Sequence, residues 1–181
     1  EALLRAKEAA EDMGFTVLHL YVDGIWVKKE DCTQSDDFLP LLNSIFDRTA
    51  LPISLDCIYR WVAFLPARNN ANLTVPNRYF GIKQDGSSTV RGIELRTHDT
   101  APYVARMQEG LIKILKQAAT LQELQQSLPE ALRFLLRSYK GLQQGKVSIE
   151  ELVVHKRMGR ELNDYKVASP AAMAARQLER L

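Results

Sequence analysis

Residues Gly14 to Lys29 read GFTVLHLYVDGIWVKK. Two apolar runs, Phe15–Val22 and Ile25–Val27, flank a single Asp-Gly pair, Asp23-Gly24. That arrangement predicts a β-hairpin, because a tight primed turn needs a positive φ and glycine adopts one without strain. The tip carries a carboxylate, and Asp23 is the one acid between Asp12 and Glu30. Local sequence leaves two readings of it open. Asp23 is a turn former, as Asp is in many Asp-Gly hairpins, or a hard oxygen ligand for a divalent metal held out on a rigid ribbon.

Around the hairpin the first half reads as α+β. Glu1–Met13 carries Ala and Leu at helical spacing and stops at Gly14, a good helix stop. Ser35-Asp36-Asp37 can cap a second helix over Phe38–Arg48, with Phe38, Leu41, Leu42, Ile45 and Phe46 on one face. Ile53–Asp56 and Ile58–Leu65 read as strands, and Asn69–Asn72 as a polar loop. The aromatic residues between 58 and 64 read as core, because a strand buries alternate side chains. Arg78–Lys83 and Thr89–Arg96 alternate and are joined by Gln84-Asp85-Gly86-Ser87, a second hairpin. Beyond Thr97 the spacing becomes helical. Helices are predicted over Pro102–Ala118 and Leu121–Gln144, the latter restarting at Pro129. Short helices follow from Ser148 and over Lys156–Asp164, and a last one, Ala171–Leu181, opens at Ser169-Pro170.

The chain has 181 residues, 46% hydrophobic and 25% charged, which fits one large domain or two small ones of globular type. No apolar run approaches the roughly 20 residues a membrane helix needs. The start, EALLRAKEAAEDMG, is a charged helix without an initiator Met. It is neither a signal peptide nor a natural beginning, so an excised piece of a longer protein is expected. Cys32 and Cys57 lack metal-ligand spacing and read as buried free thiols in a reducing compartment, with a disulfide as the alternative. His19, His98 and His155 are scattered and give no zinc signature. Net charge is only +2, but from Arg133 to Leu181 ten Lys/Arg stand against five Asp/Glu. Such an excess is a phosphate-contacting face or a solvated helical surface.

Three stretches, in order, resemble the C-terminal part of family B DNA polymerases. Leu18-His19-Leu20-Tyr21-Val22-Asp23-Gly24-Ile25-Trp26 resembles the family's palm hairpin, Tyr-x-Asp-Thr-Asp-(Ser/Gly)-hydrophobic-aromatic. Asn77-Arg78-Tyr79-Phe80-Gly81 and Val90-Arg91-Gly92-Ile93-Glu94-Leu95 resemble its Lys-Lys-Arg-Tyr-x-Gly and (Lys/Arg)-Gly-x-Glu strands. Val153-Val154-His155-Lys156-Arg157-Met158, then Leu162-Asn163-Asp164-Tyr165-Lys166 and Ser169-Pro170, resemble its thumb segment. The resemblance implies an α+β fold, with an antiparallel palm-type sheet and packed helices over 1–98 and a mainly helical thumb over 99–181.

The same resemblance implies the roles. Asp23 matches the second carboxylate of the family pair, the catalytic metal ligand, whereas Tyr21 stands where the first Asp belongs and Val22 where Thr belongs. Asp56 falls near an acidic palm position and is a second metal candidate. Arg78, Tyr79, Arg91 and Gly92, with Lys156, Arg157, Tyr165 and Lys166, match positions that touch the primer-template duplex, although Pro76 and Asn77 replace the usual Lys-Lys. The implied chemistry is two-metal nucleotidyl transfer with Mg²⁺ or Mn²⁺. The implied partners are primer-template DNA, deoxynucleoside triphosphates and the N-terminal remainder of the polymerase, with no membrane. The implied setting is DNA replication or repair in the cytoplasm, at the nucleoid. One carboxylate cannot complete a two-metal site, so the piece is not expected to polymerise alone. The substitution at Tyr21 keeps open an inactivated paralogue acting as a DNA-binding or structural subunit.

Overall fold

A computed structural model describes residues 1–67, 69–167 and 169–179, with Pro76 described by its backbone alone. The fold is α+β. The chain divides into two units, one of residues 1–91 with 119–121, the other of residues 92–118 with 122–181.

In the first unit, helix α1 (Ala2–Asp12) ends in a Schellman motif. Gly14, at φ +78°, donates its N–H to Glu11 O at 2.9 Å, and Phe15 N–H reaches back to Ala10 O at 2.9 Å. The motif turns the chain directly into strand β1 (Thr16–Tyr21), which pairs antiparallel with β2 (Gly24–Lys28). It also places Phe15 in a core with Ala6, Ala9, Ala10, Phe38, Leu41 and Ile45. Small alanines on α1 let helix α2 (Leu39–Thr49) lie close against it. A single 3₁₀ turn over Ser35–Phe38 precedes α2, and Asp37 Oδ2 caps that turn by accepting the Thr33 and Gln34 N–H groups, both at 2.7 Å. These two bonds hold the Asp37 carboxyl below its ordinary range. Phe46, expected on the buried face, is exposed.

Strands β3 (Tyr59–Ala67), β4 (Asn70–Lys83) and β5 (Ser88–Arg91) form a second antiparallel sheet with β4 in the centre. The predicted loop at Asn69–Asn72 is therefore largely strand. The predicted strand Ile53–Asp56 is irregular. Its would-be partner turns away at Gln84, whose N–H bonds Ile58 O at 2.9 Å, so residues further upstream meet no ladder. The predicted strand Thr89–Arg96 ends at Arg91 because Gly92 takes a left-handed φ of +62°. Trp26 of β2 stacks on Tyr59 at 4.9 Å and meets Tyr79 and Phe64 edge-on, so an aromatic cluster joins the two sheets. Of the strand aromatics Trp61 is buried, while Tyr59 and Phe64 are half-buried against Trp26, so they pack against protein although burial along β3 does not follow the expected alternation.

The second unit is helical. Helix α3 (Pro102–Leu115) and helix α4 (Leu121–Gln143) lie together, with Tyr103 Oη donating to Ser138 O at 2.6 Å. Gly110 makes room for the Phe134 ring, which a Cβ would meet at 2.4 Å. Helix α4 runs through Pro129 without the expected restart. The carbonyl that Pro129 leaves without a donor belongs to Gln125, an exposed residue that water can serve. Helix α5 (Pro170–Leu178) is capped by Ser169 Oγ, which accepts the Ala172 N–H at 3.2 Å. Arg180 and Leu181, expected in that helix, lie outside the described residues. Ser148 opens only a 3₁₀ turn, Ile149–Glu151. The predicted helix Lys156–Asp164 is also corrected. Residues 153–161 are irregular, and one 3₁₀ turn covers Leu162–Asp164.

Candidate nucleic-acid interface

Asp23 lies in the two-residue connection Val22-Asp23, because Tyr21 pairs with Gly24. The hairpin forms where expected, but the turn differs. Val22, Asp23 and Gly24 all have negative φ, so the turn is not of the primed type and Gly24 is the first residue of β2. A non-primed turn fits the right-handed strand twist poorly. The register slips between Val17 and His19, leaving Leu18 as an extra residue, and such a bulge adds local twist. The Asp23 carboxylate is exposed and has no protein partner among the described residues. Tyr21 is also exposed, at the end of β1, with its ring 6.2 Å from that of His19.

Asp56 sits on the irregular segment before β3, exposed, with the Cys57 thiol 3.7 Å from its Oδ2. It lines a shallow hollow of about 290 Å³ with Ser35, Cys57, Lys83 and Asp85. Burial pushes the Cys57 thiol up from its ordinary range. No group of three or more His, Cys, Asp and Glu that could hold a metal occurs among the described residues. Mg²⁺ is commonly held by one or two carboxylates together with substrate phosphates and water. Asp23 fits one such position, and a whole site would need oxygen donors from elsewhere.

The duplex-contact candidates fall into two groups. In the first unit, Arg78 is half-buried, with its Nη1 3.4 Å from Pro66 O. Tyr79, its neighbour, points to the opposite face of β4 and is 9% exposed, its ring 5.0 Å from Trp26 and 5.5 Å from Phe64. It packs protein and does not present a ring to solvent. Arg91 is exposed at the last position of β5, and Gly92 provides the left-handed bend that follows. Gly81, whose place in the Arg-Tyr-x-Gly pattern the sequence left without a role, faces the Trp61 carbonyl and the Tyr59 ring. A Cβ there would meet both at 2.9 Å.

In the second unit, Lys156, Arg157 and Lys166 are exposed on a strap over residues 153–167. Polar contacts hold the strap. Tyr165 Oη accepts the Gly159 N–H at 3.1 Å, and the Arg176 guanidinium donates to Tyr165 O at 3.0 Å and to Leu162 O at 3.4 Å. Lys156 Nζ lies 3.8 Å from Asp99 Oδ2, an exposed pair of little energetic weight. Glu94 is tied to α3, since Gln108 Nε2 donates to its carboxylate at 2.8 Å while Gln108 Oε1 accepts the Leu95 N–H at 2.7 Å. Asp99, Gln108 and Arg176 carry no sequence signal for these roles, because each acts through a partner distant in the chain.

Residues 72–180 match the sequence model of a family described as DNA polymerase family B. The chain is 28% identical over 173 residues to a DNA polymerase of Archaeoglobus fulgidus, covering 93% of this chain and 20% of that protein. It is 24% identical over 182 residues to a DNA polymerase of Thermococcus kodakarensis, covering 95% and 10%. With a DNA polymerase of Methanocaldococcus jannaschii it shares 22% identity over 185 residues, covering 98% and 10%. The chain therefore spans a tenth to a fifth of the length of these relatives.

Proposed function

The chain belongs to DNA polymerase family B, and from that membership we propose that it forms the C-terminal part of the palm, residues 1–98, and the thumb, residues 99–181, of a DNA-directed DNA polymerase. The observation that carries this reading is Asp23, an unpartnered carboxylate at the tip of a two-stranded hairpin, in a chain of which residues 72–180 match the family.

On this reading Asp23 contributes one oxygen ligand beside the primer end and the incoming deoxynucleoside triphosphate. Mg²⁺ or Mn²⁺, when bound, lowers the pKa of the primer hydroxyl and neutralises the leaving phosphates. Asp56 is the second candidate ligand, from an irregular segment that can adapt to a substrate. Arg78, Arg91 and Gly92 line the palm side of the primer-template duplex, and Tyr79 supports that surface from beneath. Lys156, Arg157 and Lys166, on a strap pinned by Tyr165, contact phosphates on the thumb side. Such contacts set position without reading bases, which is what copying any template requires. The chain alone lacks the remaining donors and does not polymerise. Its partner in the reaction is the N-terminal remainder of the polymerase, acting in replication or repair at the nucleoid.

The test uses the full-length polymerase on a primed template with Mg²⁺. Asp23→Asn is expected to cut extension by about 10²-fold or more while duplex affinity stays unchanged. Alanine at Lys156, Arg157 and Lys166 together is expected to lower the slope of log affinity against log salt by about 0.9 per lost contact. Unchanged synthesis in Asp23→Asn would overturn the reading. A second reading is favoured by Tyr21 in the place of the first carboxylate: an inactivated paralogue serving as a DNA-binding or structural subunit. It predicts no extension by the unsubstituted full-length protein at any metal concentration, with duplex binding intact.

A further inference from the structure

Helix α4 is more apolar than its packing requires. At about 100° per residue, Ala131, Phe134 and Ser138 share the side that meets α3. Ala131 is buried, the Phe134 ring lies against Gly110 of α3, and the Ser138 backbone carbonyl accepts the Tyr103 hydroxyl. Leu128, Leu132, Leu136 and Tyr139 fall within about 80° of one another on an adjoining side. They are 46%, 57%, 55% and 54% exposed. Arg133, Arg137 and Lys140 follow as the next stripe around the helix, all exposed and without a carboxylate partner among the described residues. The acids of the helix, Glu123 and Glu130, stand on the far side of that basic stripe.

We propose that this face of α4 is a docking surface for an amphipathic, acidic helix of a partner protein. The leucines and the Tyr139 ring receive its apolar stripe, and Arg133, Arg137 and Lys140 face its carboxylates. Exposed apolar side chains in one row are the signature of helix-in-groove or helix-on-helix recognition. Tyr139 suits an anchor, since it combines a large ring with a hydroxyl already satisfied by Gln143 Nε2 at 3.0 Å. Charge complementarity selects the occupant. A second copy of the chain would bring the same basic stripe and no acidic one, and nucleic acid would satisfy the three cations while leaving four apolar side chains in water.

The experiment uses the full-length protein that carries this chain and a labelled synthetic peptide of about 20 residues, with leucines at i, i+3, i+4 and i+7 and glutamates along one flank. A scrambled peptide of the same composition is the control. Fluorescence anisotropy is expected to show the in-phase peptide binding and the scrambled one not. Leu132→Ser with Leu136→Ser is expected to weaken binding by about tenfold or more. Arg133→Glu with Arg137→Glu is expected to weaken it and flatten its salt dependence. This second pair is exposed and makes no hydrogen bond or ion pair among the described residues, so it tests the surface with little demand on helix stability; circular dichroism checks both. Equal binding of the two peptides, no peptide binding, or indifference to both variants overturns the proposal. So does finding that the leucine pair instead governs binding to duplex DNA, to phosphatidylserine vesicles, or self-association in sedimentation.

Discussion

The hairpin tip at Asp23 and the strap over residues 153–167 are held in opposite ways. The tip hangs on a paired ribbon whose base is fixed by Trp26 and by the Schellman turn at Gly14. The strap has little regular structure and rests on Tyr165, Arg176 and backbone groups. On the proposed function the contrast follows from the chemistry. A metal ligand must be placed to within a fraction of an ångström, which a strand ladder over an apolar core supplies. A phosphate contact needs only charge within reach, so a polar-tethered strap suffices.

The contrast predicts unequal responses to substitution. The largest belongs to the base of the ribbon. Phe15→Ala is expected to cost about 3–5 kcal/mol, since this ring, 4% exposed, fills the core against Phe38. Denaturant unfolding measures it, and a loss under 1 kcal/mol would break the claim that the ribbon is anchored there. Arg176→Ala comes next, at about 1.5–3 kcal/mol for hydrogen bonds donated by a charged group. Faster hydrogen exchange is expected to be confined to residues 159–166, and exchange spreading to the hairpin would contradict the separation of the two regions.

A glycine pair sharpens the same point. Gly81→Ala drives a Cβ into the Trp61 carbonyl at 2.9 Å, a backbone atom that cannot swing aside, and is expected to cost about 1–3 kcal/mol. Gly110→Ala meets the end of the Phe134 side chain and gains about 1 kcal/mol of helix propensity, so its net effect on thermal unfolding is expected to be smaller. The smallest effect is a pH signature. Burial pushes the Tyr59 phenol up to about 12 from 10.0. The fold favours the protonated phenol, so its stabilisation is complete below about pH 10 and drains away as pH rises toward 12. Spectrophotometric titration should resolve one late tyrosine that Tyr59→Phe removes.

Much of this was legible in order of residues. Gly14, the alternation around Asp23, the capping carboxylate at Asp37 and Ser169-Pro170 each act within a few positions, so local physics fixed the corresponding elements. Expectations failed where a distant partner decides. Residues 53–56 have strand-like composition and meet no neighbouring strand among the described residues, and residues 156–161 have helical composition but are irregular, with the Gly159 N–H bonded to Tyr165 Oη and the Tyr165 carbonyl held by Arg176. The buried place of Tyr79 depended on which face of β4 meets Trp26. Asp23 was readable as a candidate from one motif, whereas its turn type was not, because the turn answers to strand twist and to the bulge at Leu18.

The order of apolar, polar and glycine residues was enough to fix the α+β class, the hairpin and the succession from strands to helices, because periodicity and turn chemistry are local. Long-range pairing alone could establish which strands are laddered, which aromatic rings are core, and that Gln108 and Arg176 pin the segments bearing the motif residues. A side chain's value there depends on what the fold brings opposite it.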